Sequence, residues 1–137
     1  MPYAGDLDPE QALQLLTDDP RAVLVDVRTR AEWAYVGTPD LSGLGREAVL
    51  AEWVSFPDGG RNPRFLDEVS AVAATDVPVI FLCRSGVRSV AAAEAATAAG
   101  YTGAYNVTEG FEGPPDGDGH RGAAAGWKFR GLPWKQS

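Results

Sequence analysis

One cysteine occurs in this chain of 137 residues, and it opens the stretch Cys83-Arg84-Ser85-Gly86-Val87-Arg88-Ser89. A thiolate is the reactive form of cysteine, and it is favoured where positive potential surrounds the sulfur. Two arginines lie within five positions of this thiol, and small polar residues fill the gaps. That composition is wrong for a buried apolar wall, where structural cysteines usually sit. It suits nucleophilic sulfur chemistry on a small anionic substrate. Arg84 and Arg88 are suited to forked contacts with oxyanions. Gly86 allows a sharp turn if the loop needs positive φ.

Local structure would have to present this loop, and the flanking sequence suggests how. The apolar run Val77-Pro78-Val79-Ile80-Phe81-Leu82 reads as a buried strand ending at the cysteine. From Val87 to Ala99 the chain is alanine-rich and helical in character, and Gly100 is a good stop. The thiol then lies at a helix N-terminus, where free N–H groups and the helix dipole favour negative charge. Ala104-Tyr105-Asn106-Val107 forms the next strand, completing a βαβ unit with parallel strands.

Upstream, Asp8-Pro9-Glu10-Gln11 is a helix start, with Asp8 as N-cap, Pro9 at the first position and Gln11 three after the cap. The apolar positions Ala12, Leu13, Leu15 and Leu16 extend it to about Asp18-Asp19-Pro20. Ala22 to Val27 reads as a strand buried on both faces, and Arg30 to Tyr35 as a helical turn or two. Arg46 to Trp53 is read as helical, and Trp53-Val54-Ser55-Phe56 as a short strand before the turn Pro57-Asp58-Gly59-Gly60. Asn62-Pro63 opens another helix with Phe65, Leu66, Val69, Val72 and Ala73 at core-facing spacing.

The chain length fits one compact domain spanning 1–137. A hydrophobic fraction of 45% is enough for a core. Residues 8–111 carry the regular patterns. Seven glycines and three prolines between Gly110 and Pro133 mark 112–137 as an extension, and Trp127 and Trp134 are bulky anchors for docking it on the body. The net charge of −7, with sixteen acidic against eight basic side chains in residues 1–110, disfavours nucleic acid and anionic membranes as partners. No stretch approaches the roughly 18 apolar residues of a membrane span, and no signal peptide is recognisable. A lone cysteine excludes an intrachain disulfide and a Cys-rich zinc site and fits a reducing, cytoplasmic setting. No metal or cofactor is called for. His120, the one histidine, and Asp116 and Asp118 fall among glycines and read as exposed loop residues.

The cysteine loop, together with Asp26-Val27-Arg28, Glu32-Trp33, Gly100-Tyr101, and Asn106-Val107 followed by Gly110-Phe111, resembles the single-domain rhodaneses, a sulfurtransferase family. The resemblance implies a doubly wound α/β domain, with a parallel sheet of about five strands and helices on both faces. It implies Cys83 as the catalytic nucleophile, taking a sulfane sulfur from thiosulfate or a similar anionic donor. Arg84, Ser85, Gly86, Val87, Arg88 and Ser89 would bind the donor and the persulfide. Without a second cysteine, the acceptor must be external: cyanide, a thiol or a protein cysteine. A sulfur-carrying or protein-docking module without catalysis is the alternative of another class. Phosphatases of this fold have five residues between cysteine and closing arginine, whereas four separate Cys83 from Arg88 here. That shorter loop favours a sulfur-sized site. Asp26 and Arg28 stand at the end of a parallel strand, near the site, where hydrogen bonding or pairing, for instance Arg28 with Glu32, is the favoured role. Rhodaneses commonly continue with Gly-His-Ile-Pro-Gly-Ala after the Glu-aromatic pair, whereas this chain has Val36-Gly37-Thr38-Pro39-Asp40-Leu41.

Overall fold

A computed structural model of the chain describes residues 3–28, 33, 37–53, 62, 64–83, 87–111, 126–127 and 132–135. Its centre is a five-stranded, wholly parallel sheet. The strands are β1 (Gly5–Leu7), β2 (Val23–Asp26), β4 (Val49–Leu50), β5 (Val79–Leu82) and β6 (Ala104–Val107). Their spatial order is β1-β6-β5-β2-β4. The short segments β3 (Thr38–Pro39) and β7 (Trp134–Lys135) form a separate antiparallel pair.

Three helices among the described residues cover the two faces. Helix α1 (Pro9–Asp18) starts as its sequence dictates. Asp8 Oδ1 accepts from the Gln11 backbone N–H at 2.8 Å, and the Asp8 N–H donates to Gln11 Oε1 at 2.9 Å. This reciprocal cap satisfies two N–H groups the helix cannot pair internally. Ala12 and Leu16 of α1 pack with Leu24, Ile80, Leu82 and Val107 on one face of the sheet. On the other face lie α2 (Phe65–Val72) and α3 (Val87–Ala98). Phe65, Val69, Ala92, Ala93 and Ala96 meet Val25, Val27, Val79 and Phe81 there. The alanines bring α3 close to the strands, and Gly100, at φ 107°, ends the helix in the left-handed region that a side chain disfavours. Because β2 and β5 are covered on both sides, both are apolar at nearly every position.

Two sequence expectations need correction. Residues 46–53 contain no helix; the chain runs extended, and Val49 pairs with Val25 in the sheet. Arg46 explains why. Its guanidinium reaches back to the carbonyls of Leu16, Asp19 and Ala22, the last at 2.8 Å. A cation on the free carbonyls near the end of α1 is favourable, and it fixes Arg46 where a helix could not continue. Second, Val72 is not core-facing but 48% exposed, since Phe65, Val69 and Ala73 already define the buried stripe of α2. The structure adds β1 and the 3₁₀ turn Ser42–Leu44, for which the sequence raised no expectation. The expected helical turns at 30–35, except for Trp33, and the expected strand at 53–56, beyond Trp53, lie outside the described residues, as do the 57–60 turn, Pro63, Glu32, Asp116, Asp118 and His120.

Among the described residues of the far end, both tryptophans rest on the body, beside the β3–β7 pair. Trp127 is fully buried among Leu41, Phe111 and their neighbours, and its Nε1–H donates to the Pro133 carbonyl at 2.7 Å. Trp134 is 39% exposed and sets its ring edge-on to Phe111 at 6.4 Å. Among the described residues, no helix is long and apolar enough to cross a membrane.

Candidate active site at the carboxyl edge of the sheet

The parallel strands β2, β5 and β6 all end on one edge, the edge where ligands of α/β folds bind. Cys83 is the first residue beyond β5. Its carbonyl accepts from the Phe111 N–H at 2.8 Å, and the Val27 N–H donates to the Leu82 carbonyl at 2.7 Å, so both neighbouring segments hold the strand end in place. Cys83 is 1% exposed and lies against the core residues of the α2 and α3 face. Sequence composition had argued against such burial. Cys83 belongs to the same buried cluster as Val27, Phe81, Ala92 and Ala93.

Ser89, two residues into α3, brings its hydroxyl to 3.3 Å from Cys83 Sγ. It is fully buried. Arg88 is half-buried and already engaged by a neighbour. Val87 begins α3. Arg84, Ser85 and Gly86 lie outside the described residues. The structure therefore brings Cys83 and Ser89 together directly and sets Arg88 in the adjoining helical turn.

Sequence reasoning missed what stands behind Ser89. The Ser89 hydroxyl donates to Asn106 Oδ1 at 2.5 Å. Asn106 Nδ2 donates to Asp6 Oδ1 at 3.1 Å, and the Tyr3 hydroxyl donates to the same oxygen at 2.8 Å. That hydrogen bond, more than burial, pushes the Tyr3 hydroxyl above its ordinary pKa. The one available signal was Asn106 itself, a polar residue at a buried position of a central strand, where a side chain needs a partner.

At the end of β2, Asp26 and Arg28 form a fully buried ion pair. Arg28 Nε donates to Asp26 Oδ1 at 2.9 Å and Nη2 to Oδ2 at 2.6 Å. Nη2 also donates to the Gly37 carbonyl at 2.6 Å, and the guanidinium carbon lies 4.2 Å from the centre of the Phe111 ring. Gly37 holds that carbonyl in place with φ 105°. Arg28 Nη1 is buried and has no hydrogen-bond partner among the described residues. The pair ties β2, the 37–39 segment and the turn after β6 into one block beside Cys83.

This fold is the rhodanese-like one, a parallel α/β domain with a cysteine at the end of a central strand. The chain belongs to the family described as the STR4 middle domain, whose model matches residues 5–137. It is 37% identical over 129 residues to an uncharacterized protein of Rickettsia conorii, covering 91% of this chain and 92% of that one. It is 29% identical over 128 residues to a thiosulfate sulfurtransferase, GlpE, of Actinobacillus pleuropneumoniae, covering 93% of this chain and 90% of the relative. The crystal structure of Rv0390 from M. tuberculosis superposes with a TM-score of 0.91 at 59% identity over 98% of this chain and 99% of that one. A polysulfide-sulfur transferase homodimer from Wolinella succinogenes shares the fold, with a TM-score of 0.63 at 20% identity over 96% of this chain and 78% of that one.

Proposed function

We propose that this chain is a sulfurtransferase that carries sulfur as a persulfide on Cys83. The observation that carries the reading is the position of the one thiol, at the end of β5 and 3.3 Å from the hydroxyl in the first turn of α3. The similarity to a relative named thiosulfate sulfurtransferase supports it.

In this reading the Cys83 thiolate attacks the outer sulfur of thiosulfate or a comparable small anionic donor. The new S–S bond forms as the donor's S–S bond breaks, and sulfite leaves with the electron pair. An external nucleophile, either cyanide, a small thiol or a protein cysteine, then attacks the outer sulfur of the persulfide. Cys83 departs again as the thiolate. The residues from Arg84 to Ser89 supply N–H groups for the persulfide charge, and Arg84 and Arg88 hold the donor's oxygens. Asp26 and Arg28 brace the strand end. The dependence on an external acceptor follows from the absence of a second cysteine. A cytoplasmic setting, where thiols stay reduced, is part of the proposal.

One observation favours a second reading, a sulfur-carrying or docking module with no turnover: Cys83 is almost completely enclosed. Catalysis requires the donor's outer sulfur to reach Cys83. Mass spectrometry of the intact protein after thiosulfate, followed by cyanide, separates the two. Gain of one sulfur at Cys83 and its loss to cyanide over repeated cycles supports the enzyme. A protein that takes up no sulfur from any sulfane donor is a docking module. Arg84→Ala is expected to weaken donor use with the fold intact, and unchanged kinetics would remove Arg84 from the binding role.

A further inference from the structure

We propose that Trp134, in β7, is a positioning residue that acts through Phe111 to hold the strand end bearing Cys83 in the geometry for sulfur transfer. This rests on the reading of Cys83 as the reacting group. Phe111 is the link. Its N–H donates to the Cys83 carbonyl at 2.8 Å, which joins the turn after β6 to the end of β5. The residue before it, Gly110, stands at φ 69° and sets its own N–H on the Val107 carbonyl at 3.2 Å. A glycine takes either sign of φ at little cost, so it restrains its successor poorly. The fully buried ring of Phe111 supplies the aim that the glycine does not. The Arg28 guanidinium carbon lies 4.2 Å from the ring centre. The Trp134 ring meets it at an interplanar angle of 84°, with centroids 6.4 Å apart. An edge-to-face contact favours one orientation of the ring, which burial of area alone does not.

Trp134 is itself held by groups distant in the chain. Pro39 pairs with it across β3 and β7. The neighbouring Pro133 carbonyl accepts from the Asp40 N–H at 2.9 Å and from Trp127 Nε1 at 2.7 Å. Those two donors occupy both lone pairs of that oxygen. Trp127 is fully buried, and its backbone N–H donates to the Gly110 carbonyl at 2.9 Å. Trp127 is thus the anchor of the segment. Trp134 keeps more than a third of its surface in water, so it stabilises the body less through burial. The directed contact it makes with Phe111 leads in two steps to Cys83.

The first readout needs no sulfur donor. Amide hydrogen exchange, followed by NMR, compares wild type with Trp134→Ala, Trp134→Leu and Trp134→Phe. The Phe111 amide reports the bond to the Cys83 carbonyl. The Val27 amide, bonded to the Leu82 carbonyl at 2.7 Å, reports the general stability of the same strand end. Loss of the ring in Trp134→Ala and Trp134→Leu is expected to raise the Phe111 rate relative to that of Val27 roughly fivefold, the equilibrium effect of one aromatic pair. Trp134→Phe keeps a ring there and restores the ratio. The second readout is the rate of persulfide formation at saturating thiosulfate. Small displacements of a reacting atom are costly, so this rate falls about tenfold in the Ala and Leu variants. The half-saturating thiosulfate concentration stays unchanged, and Trp134→Phe remains close to wild type. A tryptophan that merely braces the segment would speed exchange at the Asp40 amide and leave the Phe111 ratio at its wild-type value, which overturns the proposal. A shifted ratio with an unchanged rate of sulfur uptake in an active protein overturns it too. A shifted ratio in a protein that takes up no sulfur from any donor defeats the sulfurtransferase reading alone and keeps the path from Trp134 to Cys83.

Discussion

Two buried polar clusters flank the end of the central strands, and they are built on opposite principles. Asp26 and Arg28 carry full charges, pair through three hydrogen bonds, and are further held by a carbonyl and an aromatic face. Ser89 and Asn106 are neutral, and the hydroxyl between sulfur and amide has one hydrogen for two neighbours. A buried charge pair has one low-energy arrangement, because any separation leaves an uncompensated ion. The neutral chain has two, related by rotating a hydroxyl. One cluster therefore fixes geometry through charge, and the other reaches the thiol through neutral hydrogen bonds.

The sharpest way to break this contrast is to remove one charge. Arg28→Met leaves Asp26 buried without a partner and is expected to cost about 3–5 kcal/mol in urea unfolding. Asp26→Leu combined with Arg28→Met restores most of that loss. A single-variant loss no larger than about 1 kcal/mol, the worth of an exposed pair, would erase the distinction. Ser89→Ala is expected to cost less, about 1–3 kcal/mol, since it strands one neutral acceptor, Asn106 Oδ1. If Ser89→Ala proves the more damaging of the two, the roles of the clusters are reversed.

Tyr101 gives a baseline remote from the sulfur. Its hydroxyl donates to the Ala73 carbonyl at 2.7 Å, and burial raises its pKa above 10.0. The folded state thus holds the phenolic proton more tightly than the unfolded chain. Its contribution is complete below the ordinary tyrosine value and is lost as pH rises through the raised one. Tyr101→Phe is expected to cost roughly 0.5–1.5 kcal/mol near neutral pH and to flatten the alkaline loss of stability, read as melting temperature against pH. An equally steep alkaline limb in Tyr101→Phe would assign that limb to other groups, Tyr3 among them.

The parts of this molecule legible in its sequence are those whose physics is local. Asp8, Pro9 and Gln11 spell a helix start within four residues. The run Val79–Leu82 and the alanines of α3 announce a doubly covered strand and a closely packed helix. The short strand Val49–Leu50 does not announce itself, because two residues become a strand only when β2 is beside them and Arg46 is anchored on α1. The same holds at the candidate site. Cys83 and Ser89 are neighbours in the chain, and their proximity could be read directly. Asp6 and Asn106 are 100 positions apart and meet through the β1–β6 register, which no local pattern encodes.

The most direct test of the account is the mass of the intact protein after exposure to thiosulfate, compared between wild type and Cys83→Ser. The account predicts the gain of a single sulfur atom in wild type, removed by cyanide and absent from the variant. A wild-type mass that stays unchanged with every sulfane donor tried, in a protein that is folded, would contradict it.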